Sequence, residues 1–261
     1  MLGKLLKHEF WATSRIMLPV YAGSLILAFI NRLFMLLSFR GDFHTAGSVF
    51  ITILTVVFSL LFAVGMAAVP TVTAIFIIRR FYTHLLRDEG YLTHTLPIGI
   101  DGLLWSKLIP AFSWVVAASG VMILNLVILL GGIPFFDEIR EYIPTIREML
   151  SYLGDYRLSV FLSIVIATVA VFGGILHFYF ALSVGQLANQ RKILAAIGVY
   201  FGVYFASTIA TTTIFQAMIF NNVDFYSVNT FLLISLAIYL IPSVVYYLLT
   251  RYLLKNRLNL Q

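Results

Sequence analysis

The chain has 261 residues, 61% of them hydrophobic and only 11% charged, with 17 Lys and Arg against 11 Asp and Glu for a net charge of +6. Soluble domains run near ~45–50% apolar and ~25% charged, so too few charges are present to cover one or two soluble domains of this length. Disorder, a collagen-like repeat and nucleic-acid binding by bulk charge are excluded with them, and the lack of cysteine removes disulfides, thiolate metal sites and cysteine nucleophiles.

An integral membrane bundle remains, and a mean hydropathy of +0.98 agrees with it. The opening MLGKLLKHEFWATSR is basic, as a signal peptide would be. The apolar run after it is too long for one, five more spans follow, and no small-residue cleavage pattern closes it. These residues suit an N-terminal interfacial helix. Leu2, Leu6 and Phe10 fall on one side, and Lys4, Lys7, Trp11 and Arg15 on another, with Trp11 at headgroup level. A basic leader that only sets topology is the plainer alternative.

Residues 16–31 carry no charge, and the apolar pattern continues past Arg32 to Phe39. Arg32 lies about two turns from the outer end, close enough to snorkel outward. The later uncharged stretches are 46–78, 108–136, 158–190, 193–223 and 225–250, each longer than the ~18–20 residues that mark a spanning helix. Spans are therefore predicted near 16–38, 50–76, 109–131, 160–184, 194–217 and 230–250. Transmembrane barrels alternate over ~10-residue segments, and nothing here does. The fold class is all-α, a single six-span transmembrane domain over 1–261.

Two connections carry amphipathic patterns. Residues 79–107 are too polar to span and too apolar for a free linker. Phe81, Tyr82, Leu85 and Leu86 recur at helical spacing, so a short helix with a sticky face is expected. Gly90 breaks it, Pro97 prevents restart, and Asp101 suits the cap of span 3. Either the bundle or a partner must cover that face. Between spans 3 and 4, Ile139, Tyr142, Ile143, Ile146, Met149, Leu150 and Leu153 repeat at helical spacing around Pro144. They predict a broken amphipathic helix flat on the outer surface, with gating of a substrate exit as the sharper reading.

The positive-inside rule sets orientation. With the N-terminus cytoplasmic, twelve basic residues lie inside (Lys4, Lys7, Arg15, Arg79, Arg80, Arg87, Lys107, Arg191, Lys192, Arg251, Lys255 and Arg257) and five elsewhere. An even number of spans then puts both basic termini on the cytoplasmic side.

Several chemistries have no motif here. There is no Gly-x-x-x-x-Gly-Lys-Ser/Thr loop, no His-Glu-x-x-His and no Gly-x-Ser-x-Gly elbow. The five histidines form no i, i+4 pair. No Asp or Glu lies in any predicted span, which disfavours an ion-coupled carrier. Polar span residues are few. His177, just after Gly173 and Gly174, is read as hydrogen-bonded to a neighbouring helix or, more sharply, as a substrate contact. Asn125 and Gln216 are read as interhelical glue worth ~0.6 kcal/mol each. Gly198-x-x-x-Gly202 and Ala63-x-x-x-Ala67 allow close helix approach, within the chain by default and between subunits otherwise.

At 79–107 the sequence resembles the ABC-2 type permease family, the membrane subunits of bacterial ABC transporters. The matching residues are Asp88-Glu89-Gly90-Tyr91-Leu92, then Leu96-Pro97, then Lys107 near the start of span 3. The Lys-Leu-Leu-Lys-His-Glu-Phe opening is also similar. The resemblance implies a multi-pass subunit of the bacterial plasma membrane that pairs with a second permease, identical or homologous. It implies docking of a dimeric ABC ATPase on this loop, with ATP and Mg bound there and no cofactor or catalytic site in this chain. Phe81, Tyr82, Leu85 and Leu86 would supply the buried docking contact, Gly90 the turn, Leu96 and Pro97 the apolar-Pro pair, and Asp88 and Glu89 the polar rim. One departure is that family members carry re-entrant helices between spans 5 and 6, where this loop is short.

The leading expectation is thus the permease subunit of an ATP-driven exporter of an amphipathic or apolar substrate such as a peptide or lipid, surrounded by membrane lipid and without nucleic acid. The alternative is a non-transporting scaffold or sensor subunit holding a cytoplasmic partner. A self-sufficient carrier or channel is disfavoured by the acid-free spans, and an intramembrane enzyme by the lack of paired carboxylates.

Overall fold

Backbone inside hydrocarbon must satisfy its own N–H and C=O groups, and an uninterrupted apolar run does so as a helix. In the computed structural model, which describes residues 2–40, 46–86, 99–130, 143–144, 156–188, 190–220 and 228–256, every long run takes that form. Six helices result: α1 (Leu2–Arg40), α2 (Ala46–Phe81), α3 (Ile100–Leu130), α4 (Arg157–Gly185), α5 (Lys192–Phe220) and α6 (Val228–Asn256). All six are long and apolar enough to cross a membrane, and no strand occurs among the described residues. Prolines 19, 70, 110 and 242 lie inside helices, each withdrawing one backbone donor from its ladder.

The helices outrun the predicted spans. α1 is continuous from Leu2 through Pro19 to Arg40, with no break between the stretch read as interfacial and the first span. Trp11 is exposed there, with the Arg15 guanidinium 3.8 Å from its ring centroid. The short helix expected at 81–86 is an extension of α2 through a π turn, Tyr82–Leu86. Asp101 is not the cap of α3. Gly99 precedes the helix and its carbonyl accepts from the Leu103 N–H at 3.2 Å, so Asp101 sits in the first turn with its side chain free for other partners. Most of the 135–157 connection lies outside the described residues.

The chain divides into two compact units, with α3 contributing to both. One comprises Gly3–Ile77 and the second part of α3 from Ser113. Its core is Met17, Tyr21, Val69 and Ala118, with Trp114 and Phe76 packed against it. The Tyr21 hydroxyl lies 2.9 Å from Thr73 Oγ1 and 3.2 Å from the Trp114 carbonyl, while Trp114 Nε1 donates to Thr13 Oγ1 at 2.8 Å. Ser59 Oγ donates to Asn31 Oδ1 at 2.9 Å. These polar links cross all three helices.

The other unit holds the π turn, the first part of α3, and α4 to α6. α4 is its central helix, packed against both α6 and α5. Two glycines permit those approaches. A Cβ on Gly173 would run into the Ser243 hydroxyl of α6, and one on Gly185 would lie 2.8 Å from the Ala196 backbone of α5. The first turn of α3 is tied to α6: Tyr247 donates to Asp101 Oδ1 at 2.7 Å, and Arg251 pairs with Asp101 Oδ2 at 2.8 Å.

Candidate functional site

Within this second unit, α4, α5 and α6 line a half-open cavity of about 370 Å³. Gly173, Gly174 and His177 face it from α4. From α5 come Tyr204, Ser207, Thr208, Thr211 and Thr212, and from α6 Ile238, Tyr239, Pro242, Ser243 and Tyr246. None of the described residues lining it is charged. Tyr204 and Tyr239 on its wall are about half exposed.

Two local features mark the cavity wall. Gly174 leaves open space where a side chain would stand, and no atom lies within 4 Å of an added Cβ. Pro242 supplies no N–H to the carbonyl of Ile238, one turn before it, so the α6 ladder lacks that bond at the cavity wall.

His177 is buried and sandwiched by aromatic rings, with centroids 4.5 Å from Tyr200 and 5.1 Å from Tyr246, both near parallel. Its Nε2 is buried with no hydrogen-bond partner among the described residues. Four of the lining hydroxyls donate to their own helices. Ser207 and Thr208 donate to the Tyr204 carbonyl at 2.9 Å, Thr212 to the Thr208 carbonyl at 2.7 Å, and Ser243 to the Tyr239 carbonyl at 2.6 Å. What each offers further is an oxygen lone pair. Thr211 and the phenols of Tyr204, Tyr239 and Tyr246 add O–H groups that can donate, so the wall offers both donors and acceptors.

Two residues along α4 from His177, Tyr179 faces away from the cavity, since adjacent helical positions diverge by about 100°. Phe81 stacks on it at 3.8 Å between centroids and 9° between planes. The Tyr179 hydroxyl donates to the Lys107 carbonyl at 3.5 Å. Tyr179 thus contacts both the end of α2 and the third turn of α3.

This burial corrects the role read for the sticky face. Phe81 and Leu85 have no exposed surface and Leu86 is 6% exposed, because the chain's own helices cover them. They are not an open docking surface, and only Tyr82 of the four is partly exposed. Asp88, Glu89, Gly90, Leu96 and Pro97 lie outside the described residues.

Asn125 and Gln216 belong to no common site. Asn125, fully buried in α3, donates from Nδ2 to Ser24 Oγ of α1 at 3.2 Å in the first unit. Gln216 is exposed near the end of α5. The small-residue pairs do not serve packing inside the chain: Ala63, Ala67, Gly198 and Gly202 are exposed, and neither glycine has an atom within 4 Å of an added Cβ. Sequence reasoning missed Glu9, which is buried in α1, and the tyrosines that flank His177. His177 with Gly173 and Gly174 lies on the cavity wall, and the i, i+4 run of hydroxyls on α5 is a further signal that the sequence holds for it. No protein-family model, curated protein or solved structure matches the chain.

Proposed function

We propose that the chain is the permease subunit of an ATP-driven ABC exporter of an amphipathic or apolar substrate, paired with a second permease and energised by a separate ABC ATPase. It would lie in the bacterial plasma membrane with both termini cytoplasmic. The observation that carries this reading is the bracketing of the α2–α3 connection by Tyr179. The segment resembling the family motif, Asp88-Glu89-Gly90 with Leu96-Pro97, lies in sequence between Phe81, which stacks on the Tyr179 ring, and Lys107 in α3, whose carbonyl accepts from the Tyr179 hydroxyl.

The mechanism follows from that linkage. A partner that moves the 87–98 segment on binding ATP pulls at Tyr179 through a stacked ring and a backbone contact. α4 then shifts relative to α5 and α6, and the cavity beside His177 changes shape. Packed interfaces respond by switching between discrete arrangements, not by bending smoothly. Phe81, Leu85 and Leu86 act as the joint between segment and bundle, and the docking contacts fall to Tyr82, Asp88 and Glu89. The exposed Gly198-x-x-x-Gly202 face of α5 supplies a surface for the second permease.

Affinity capture of the full chain from its native membrane tests the reading. A P-loop ATPase subunit is expected to co-purify, and Glu89→Lys is expected to abolish its recovery while the permease still accumulates. Recovery of no ATPase from the unmodified chain overturns the proposal. Capture without ATP-dependent flux in proteoliposomes favours the scaffold or sensor alternative.

A further inference from the structure

We infer that one face of α1 is a binding site for an anionic phospholipid, whose phosphate sits at Trp11 and Arg15 and whose acyl chain runs along the apolar residues that follow. The inference rests only on α1 crossing a membrane; neither the permease reading nor the side of the membrane enters it.

Helical spacing sets the face. Lys4, Lys7, Trp11 and Arg15 follow one another at three or four residues, so the helix brings them onto one side, and all four are exposed. The acid of this segment, Glu9, is buried at about 200° around the helix from Trp11. Lys4, Lys7 and Arg15 form no ion pair among the described residues. The stripe is a cationic surface with its one nearby carboxylate turned away from it.

Trp11 and Arg15 make the headgroup contact. Helical side chains lean toward the N-terminus, so Arg15 lies over the ring one turn before it, with Cζ 3.8 Å from the ring centroid. Trp11 is 60% exposed, open to the headgroup layer where indole rings collect. The guanidinium donates to no acceptor among the described residues. Its parallel N–H groups match two oxygens of a phosphate. Lys7 and Lys4, about 12 and 17 Å further toward the N-terminus, attract the same anion at longer range.

The continuation of the face makes that anion a lipid. Leu18, Ile26, Phe29 and Leu33 are exposed on the same side of the helix, which is unbroken through both parts. From Arg15 to Leu33 the helix rises about 27 Å, more than the ~15 Å of one hydrocarbon leaflet. A soluble anion would use the cations and leave the apolar track unmatched. A phospholipid matches both in their order along the helix.

The chain contains no cysteine, so Ala22→Cys, exposed on this face, takes a single bimane label. The full labelled chain in phosphatidylcholine vesicles is titrated with phosphatidylglycerol or phosphatidylcholine bearing a nitroxide midway along one acyl chain. Half-quenching is expected at a roughly fivefold lower fraction of the anionic lipid, the ratio that one cation at the membrane surface contributes. Arg15→Gln should remove most of that preference, and Lys4→Gln with Lys7→Gln a smaller part. Lys255→Gln, which removes an exposed cation from α6, should leave it unchanged.

Equal quenching by the two lipids, a preference that survives Arg15→Gln, or the same loss from Lys255→Gln overturns the inference. Inorganic phosphate should relieve the quenching no more than chloride of equal ionic strength. Relief by phosphate alone would assign the cations to a soluble anion and overturn the lipid assignment. ATPase capture tests the permease reading in a different assay, so the two ideas fail separately.

Discussion

Phe81 and Asn125 show how differently two buried side chains contribute in a membrane bundle. Between helices in lipid the hydrophobic term is weak, because acyl chains are as apolar as leucine, and packing and hydrogen bonds remain. Phe81→Ala removes a fully buried ring stacked at 3.8 Å. A loss of about 2 kcal/mol is expected from the void and the lost stack, with Phe81→Leu recovering at least half of it. Denaturation in mixed micelles measures both. Asn125 has one amide hydrogen bond at 3.2 Å and an orphaned Oδ1. Its bond is worth about 0.6 kcal/mol in such a setting, less than the unmatched oxygen costs, so Asn125→Leu should leave stability unchanged or raise it. A drop of more than about 1 kcal/mol would mean that Oδ1 has a partner the geometry does not reveal. Both residues are visible as types in the sequence. Their partners are not, because Phe81 meets Tyr179 and Asn125 meets Ser24 across 98 and 101 positions.

Among the helices, α1 explains why apolar runs locate a span but not its buried face. Its buried residues are Glu9, Thr13, Met17, Tyr21, Ser24, Ala28 and Asn31, an almost regular stripe on one side. Most are polar, while Leu18, Ile26, Phe29 and Leu33 stand exposed. A reader expecting the apolar face to turn inward, as in a soluble helix, chooses the wrong side, since lipid accepts the apolar face and the polar groups seek one another. The same inversion hid the cavity. The hydroxyls of α5 look unremarkable in a helix that is otherwise apolar, and only the position of α4 and α6 makes them a wall. Glycines divide similarly. Gly185→Val should weaken the α4–α5 approach by about 1–3 kcal/mol, because the new Cβ meets Ala196 backbone. Gly23→Ala, in open space inside α1, should be neutral or stabilising by up to about 1 kcal/mol from helix propensity alone. Thermal melts of the detergent-solubilised variants distinguish the two. Gly198→Leu combined with Gly202→Leu should leave monomer stability intact and reduce permease pairing, read as loss of crosslinked dimer.

Two helices are divided between the units: α2 from Ile78 and α3 to Phe112 belong with α4 to α6, and the remainder of both belongs with α1. The proposed orientation of the whole molecule is directly accessible because the chain contains no cysteine. Arg191→Cys should react only with a reagent admitted to the cytoplasmic face, and Arg157→Cys with an impermeant reagent outside; labelling of both from one side would remove the six-span threading. Sequence by itself determined the number and kind of the long helices, since uninterrupted apolar length and backbone self-satisfaction in lipid are local requirements. It also identified His177 and the 79–107 connection as the places where polarity needed an explanation. Tertiary structure decided which atoms answer for it: that Phe81, Leu85 and Leu86 are covered from within, that Tyr179 meets Phe81 of α2 and Lys107 of α3, and that Gly174 and Pro242 line a pocket beside His177. Those outcomes depend on which helices lie side by side, and in a chain whose six spans are almost equally apolar, composition holds no preference among neighbours; close packing and matched hydrogen bonds make the choice.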